Sequence, residues 1–166
     1  MATARPDLHA RFDVVFTNAV LHWLPDHQAV IAGVHSVLKP GGVFVCECGG
    51  AGNVLAIRQA VEAATAERGV QPRFPWNFAT SAAFEELLKA QGFRVQQVLS
   101  FPRRPVLPEG VAGWLETFGS SIVPELSAAD RLAVWQRAQE LSRAELFSDG
   151  QWHADYVRLR FAAVRE

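Results

Sequence analysis

Excess charge of either sign is missing from this chain. Its 166 residues carry 16 Lys and Arg against 17 Asp and Glu, a formal net charge of −1. With an isoelectric point near 6.5, it sets up no basic field to recruit nucleic acid or anionic lipid. The arginines are scattered, and the pair in "PRRP" (102–105) is too small to form a patch. Cysteine is almost absent. Cys46 and Cys48 are the only two, and side chains at i and i+2 share a strand face too closely for an ordinary disulfide. With no other cysteine to pair with, a reducing compartment is expected. No run of 18 apolar residues occurs, and "MATARPDLHARFD" lacks the apolar centre of a leader, so the expectation is a soluble, cytoplasmic protein. Repeats, low-complexity tracts and interdomain linkers are missing too. Hydrophobic residues make up 49% and charged residues 20%, which excludes a disordered chain. The length fits one domain with a core of ordinary size.

What is present reads as alternating strands and helices. "FDVVFTN" (12–18) is a near-continuous apolar run, as in a strand covered on both faces of a parallel sheet. Pro25-Asp26 can open a helix, whose apolar face is Val30, Ile31, Val34, Val37 and Leu38. "KPGG" (39–42) has the proline and glycine of a type II turn. "VFVCEC" (43–48) follows as a second buried strand, and 52–68 as a second helix ending before Gly69. Together these make a right-handed parallel βαβ unit. Thr80/Ser81 can cap a helix over 82–91, with Gly92 at C′ and Phe93 packing back on Leu88. "FRVQQVLSF" (93–101) alternates like a half-exposed strand near the sheet edge. Two further helices are predicted at 109–118 and 128–146, the second opened by the capping pattern "SAAD". The stripe Val111, Trp114, Leu115, Phe118 is accounted for by core packing, although Trp114 could instead wall a pocket. Asp149-Gly150 turns the chain into a last strand, 154–164. The fold class is α/β.

In an open parallel sheet, ligands bind beyond the carboxyl ends of the strands. Two segments qualify here: "TNAVLHW" (17–23) and "CGGAGN" (48–53). The glycine turn is not a dinucleotide fingerprint, because Gly50 and Gly52 are followed by Leu55 where the third glycine should stand. It also lacks the Lys-Ser/Thr of a P-loop, and no acid fits the ribose position about 20 residues on. Its glycines would keep side chains away and leave backbone N–H groups bare at a helix N-terminus, which suits a carboxylate; a tight turn with no ligand is the competing account. In the first segment Asn18 offers a donor and an acceptor, His22 a switchable proton site and Trp23 an aromatic wall. A packed or capping His22 is the competing account there. His22, Asp26 and His27 lack a third or fourth partner at metal-binding spacing, so no metal is expected. Cys46 and Cys48 read as strand-core residues, and no G-x-S-x-G elbow supports a serine hydrolase.

Those residues carry a family resemblance. "FDVVFTNAVLHWLPD…VLKPGGVFVCECGGAGN" resembles the second half of a class I S-adenosylmethionine-dependent methyltransferase, in the branch similar to trans-aconitate methyltransferase. "GWLETFG" and "DYVRLRFAAV" also look like that branch, so the resemblance runs from about residue 12 onward. It implies a partial Rossmann-like sheet containing the family's strands 4-5-7-6, the last strand antiparallel. Helices would cover both faces, with a helical insertion at 108–147. The chain would be a single, N-terminally truncated methyltransferase domain (1–166), its sheet core at 12–101 and 152–164. By matching position, Asn18, Ala19, Leu21, His22 and Trp23 inherit roles beside the cofactor, with Asn18 and His22 as the catalytic candidates. Gly49, Gly50, Gly52 and Asn53 inherit the acceptor side, joined by Trp76, Trp114 and Tyr156. Trp152 and His153 would border the same pocket.

The resemblance implies methyl transfer from S-adenosylmethionine to a small polar acceptor, carboxylates included. His22 would accept a proton if the acceptor requires it. The family's glycine-rich turn after strand 1, and its acids at strands 2 and 3, have no counterpart here, so the cofactor site is expected to be incomplete. Strand 12–18, central in the family's sheet, would present an open apolar edge suited to self-association. A non-catalytic remnant or interaction module is the alternative reading, and a nucleotide-dependent oxidoreductase is set back by the failed fingerprint.

Overall fold

A short apolar strand, β1 (Phe12–Asn18), pairs in parallel with β2 (Leu38–Gly49), and helix α1 (His27–Val37) crosses between them. The computed structural model describes residues 6–166; the segment 1–5 of the N-terminal stretch discussed above lies outside the described residues. α1 begins where the sequence predicts, the Asp26 carboxylate accepting from Ala29 N at 2.9 Å. "KPGG" behaves differently from a plain connecting turn. It lies inside β2, where Phe12 pairs with Leu38 and Val14 already pairs with Val43. The extra residues bulge out around Gly41, whose φ of +78° only glycine adopts without strain.

The remaining strands complete a four-stranded sheet of order β1-β2-β6-β3, where β3 is Phe93–Arg103 and β6 is Tyr156–Arg165. β6 runs antiparallel to β2, with Cys46 opposite Phe161 and Glu47 opposite Arg160. The expected strand order and the reversed last strand are both observed. α2 (Leu55–Ala66) and α3 (Ser81–Ala90) follow the glycine turn and the loop after it. α3 is capped by Thr80 Oγ1, which accepts from Ala83 N at 3.1 Å.

The chain divides into two compact units, one built from residues up to 51 with 76–101 and 157–166, the other from 52–75 and 102–156. In the first, one sheet face carries Phe44, Cys46, Cys48, Leu159 and Phe161 into a core with Ile31 of α1 and Phe84 and Leu88 of α3. The opposite face carries Val14 and Phe16, which are 56% and 67% exposed. β1 is an outer strand of this sheet.

In the second unit α2 and α4 (Gly110–Phe118) pack on α5 (Ala128–Leu141), burying Val61, Val111, Leu115, Val134 and Trp135. Ser127 caps α5 from Asp130 N, as the "SAAD" pattern predicts. Two boundaries differ from the sequence reading. The predicted 128–146 helix breaks at Ser142, after which α6 (Arg143–Leu146) begins. Asp149 and Gly150 do not open the last strand. Both have positive φ, 52° and 75°, the condition for a two-residue hairpin turn, and they join β4 (Phe147–Ser148) to β5 (Gln151–Trp152).

Candidate functional site

The carboxyl ends of β1 and β2 lie side by side, with Asn18 opposite Glu47. Beyond Asn18 the backbone turns sharply. Ala19 sits at φ +57°, a region costly for a residue with a Cβ, and its N–H donates to Glu47 O at 2.8 Å. A single 3-10 turn, Leu21–Trp23, follows. Leu21 and His22 are buried, whereas Asn18, Ala19 and Trp23 are exposed.

His22 is held by the neighbouring strand end, since the Gly49 N–H donates to His22 Nδ1 at 3.1 Å. Nδ1 therefore presents its lone pair, and the ring's proton is on Nε2. Protonating Nδ1 would break a buried hydrogen bond, so the geometry assigns this ring a clamping task that competes with proton transfer. A strap from 76 to 79 closes over the turn. Asn77 N donates to His22 O at 2.8 Å, and Asn77 Nδ2 donates to Pro25 O at 3.1 Å. Trp76 meets Trp23 edge-on at 5.8 Å between ring centroids, and Phe78 lies 5.7 Å from the His22 ring. Asn18, Ala19, Leu21, His22, Trp23, Gly49, Gly50 and Trp76 thus all belong to the first unit.

Three successive N–H groups of the glycine turn are already taken, contrary to the expectation of bare donors. Gly49 N is used by His22, Gly50 N donates to Val157 O at 3.0 Å, and Ala51 N donates to Ala79 O at 3.0 Å. Packing favours glycine at position 50, for a Cβ there would lie a tight 3.0 Å from Leu159 Cβ. The N-terminus of α2 already holds an anion of this chain. Ala56 N donates to Asp155 Oδ2 at 2.7 Å, and Val54 N donates to Asp155 O at 3.1 Å. Burial pushes the Asp155 carboxyl above its ordinary value. No local sequence signal could reveal this cap, because Asp155 lies 99 residues from Ala56.

Sequence reasoning also missed a charged network at the same sheet end. The Glu47 carboxylate accepts from Arg160 through Nε at 2.9 Å and a terminal nitrogen at 2.5 Å. Its other oxygen accepts from Arg158 Nε at 3.3 Å. These guanidinium groups, Arg160 foremost, hold the Glu47 carboxyl below its ordinary range. Arg158 is buried to 8% exposure, and one of its terminal nitrogens reaches Asn18 Oδ1 at 3.4 Å. The available signal was the alternation "VRLR" in one strand and "CEC" in its partner, which places three charges on one sheet face.

The other predicted site residues belong to the second unit. Gly52 has φ +85°, and Asn53 is buried. Trp114 Nε1 donates to Tyr156 Oη at 2.7 Å, and Trp114 helps line a cavity of about 290 Å³ with Leu107, Glu109 and Thr117. Trp114 is therefore a wall residue as well as part of a helix stripe. Trp152 packs edge-on against Phe147 in the hairpin, at 5.1 Å between centroids. His153 forms an isolated bridge with Val106.

Cys46 and Cys48 are both fully buried. The hydrogen bond with Cys48, together with burial, pushes the Cys46 thiol well above its usual range, as suits a core residue. Among the described residues no group of three or more His, Cys, Asp or Glu side chains is arranged to hold a metal ion. No helix among them is long and apolar enough to cross a membrane.

Residues 3–46 match the family model described as a methyltransferase domain. The chain is 34% identical over 168 residues to an uncharacterized methyltransferase of Schizosaccharomyces pombe, covering 93% of this chain and 63% of that protein. It is 33% identical over 173 residues to the trans-aconitate 2-methyltransferase of Deinococcus radiodurans, covering 96% of this chain and 66% of that one. It thus spans just under two thirds of the length of these relatives. In three dimensions it is similar to the YcgJ protein of Bacillus subtilis, with a TM-score of 0.60, 12% identity and coverage of 100% of this chain and 67% of that chain.

Proposed function

Because the chain belongs to the class I S-adenosylmethionine-dependent methyltransferase family, we propose that it takes part in methyl transfer from S-adenosylmethionine to a small polar acceptor carrying a carboxylate. The observation that best supports this reading is the adjacency of two strand ends. The turn after β1 and the glycine turn after β2 are joined by the Gly49–His22 bond, at the sheet end where open α/β folds bind ligands. When bound, S-adenosylmethionine supplies an electrophilic methyl group, and the protein's main task is to bring the acceptor into line with it.

The residues present suit part of that cofactor. Asn18, Ala19 and Trp23 are exposed beside β1 and can line its reactive end, while buried Leu21 and His22 support them from beneath. His22 serves as a positioning residue in this reading, since its Nδ1 is occupied by Gly49. Gly49, Gly50 and Trp76 would face the acceptor. The preference for a carboxylate is supported by the acceptor named in the Deinococcus relative. The described residues offer few groups for the adenosine and amino-acid portions, so weak binding is expected. Treating residues 1–166 as one methyltransferase domain with a helical insertion at 108–147 belongs to the same proposal.

A second reading is favoured by one observation. β1 is an outer strand with Phe16 67% exposed, which suits pairing between copies of the chain. The primary test is an NMR titration of the labelled chain with S-adenosylhomocysteine. Shifts confined to 18–23 and 47–50, with a dissociation constant of about 1 mM, some −4 kcal/mol, are expected. Unmoved resonances at several times that concentration would overturn the reading.

A further inference from the structure

We propose that Arg158 is a positioning residue that fixes the Asn18 carboxamide and makes Asn18 a hydrogen-bond donor toward the methyl-donor side of the site. The proposal rests on the functional reading above for the identity of that ligand. Its geometry spans three strands. Asn18, Glu47 and Arg160 lie in one row across β1, β2 and β6, and Arg158 stands two residues from Arg160 on the same strand face. Arg160 grips one Glu47 oxygen through two nitrogens. That grip fixes the carboxylate so that its other oxygen meets Arg158 Nε. The guanidinium is planar and rigid, so anchoring Nε also sets where its terminal nitrogens lie, and one of them reaches Asn18 Oδ1 at 3.4 Å.

The chemistry then decides which way the amide faces. Arginine has donors only, so the atom turned toward it must be the carboxamide oxygen. The Nδ2 amino group is left to donate to the ligand. Arg158 is buried, and a buried cation is kept only beside its anion, which is why Glu47 is part of the same device.

The test uses side-chain carboxamide signals of the ¹⁵N-labelled chain together with S-adenosylhomocysteine titrations. In the unaltered protein the Asn18 pair should lie away from free-asparagine positions. It should return to them in Arg158→Met, where Glu47 keeps Arg160 as its partner, and move partway in Arg158→Lys. Asn18→Asp is the second variant. It keeps an oxygen toward Arg158 and adds an opposite charge, so the fold is retained, but it removes the donor. A purely structural role predicts unchanged ligand binding in this variant. The positioning role predicts S-adenosylhomocysteine binding weakened about tenfold or more. An Asn18 pair indifferent to Arg158→Met, or Asn18→Asp binding as tightly as the unaltered chain, would overturn the proposal. If the unaltered chain binds no S-adenosylhomocysteine while its Asn18 pair still follows Arg158, the functional reading falls and the positioning by Arg158 stands.

Discussion

The backbone N–H of Gly49 donates to Nδ1 of His22 across 3.1 Å, tying the end of one strand to the turn that follows its neighbour. The two residues are 27 positions apart in sequence, and the bond joins both segments singled out as chemistry-bearing. It turns a histidine with several readings into one with a defined tautomer. It also accounts for one of the backbone donors that the glycine turn would otherwise offer to a ligand.

His22→Ala should destabilise the protein by about 3 kcal/mol, since it leaves the Gly49 N–H unpaired in a buried setting and removes a buried ring. Urea denaturation monitored by tryptophan fluorescence measures this. A loss under about 0.5 kcal/mol would mean that the clamp contributes nothing.

Two glycines should respond in opposite directions to alanine. Gly33 lies within α1 with no neighbouring heavy atom within 4 Å of an added Cβ, so Gly33→Ala should stabilise by about 0.5–1 kcal/mol. Gly50→Ala places a Cβ 3.0 Å from Leu159 Cβ, in a packed core, and should cost about 1–3 kcal/mol. Melting temperatures of the two variants give the comparison.

Glu47 makes stability depend on acidity with a definite sign. Arg160 and then Arg158 hold its carboxyl below the ordinary value of 4.5. Its contribution is therefore fully present above that pH and is lost as pH falls through the lower, folded-state value. Glu47→Gln should lower stability at pH 7 by about 3 kcal/mol and flatten the decline on the acid side. Asp155 acts oppositely. Burial raises it above 3.8, so acid protonates the folded form first and favours folding in that window. Denaturant midpoints from pH 7 to 3, with Asp155→Asn as the contrasting variant, check both signs.

Removing the phenolic oxygen in Tyr156→Phe should cost about 1 kcal/mol through the 2.7 Å bond from Trp114 Nε1. Trp114→Phe removes the donor of the same bond. In a double-mutant cycle the two losses should fail to add, whereas full additivity would show that the pair is not coupled.

Phe16→Lys places a charge on the outer strand of the sheet and should reduce association of the chain with itself. Sedimentation velocity across a concentration series measures this. Equal sedimentation of both proteins at every concentration would exclude pairing through β1.

Local chemistry made much of the fold legible. The caps at Asp26, Thr80 and Ser127 each bond as their residue types predict, because a cap involves only residues three apart. The apolar runs at 12–18 and 43–48 announce parallel strands, and the family resemblance supplies the order in which β6 inserts beside β2. The expected cover on both faces holds for neither face of β1 in full, since Val14 and Phe16 are exposed where β1 forms the outer strand. Asp149-Gly150 reads as a turn in the sequence, but the strand it opens is β5 and not the last strand. The hairpin it closes has arms of two residues, too short for alternation to be seen.

By itself the sequence determined the α/β class, the strand order through its resemblance, and the two segments where chemistry would be sought. Tertiary structure decided what those segments can offer. Whether a backbone donor is bare, which ring nitrogen holds a proton and which face of Asn18 is an acceptor depend on groups far away in the chain. Gly49 meets His22, Ala56 meets Asp155 and Asn18 meets Arg158. Hydrogen bonds act over about 3 Å in space without regard to sequence separation, so only the folded chain could bring those partners into reach.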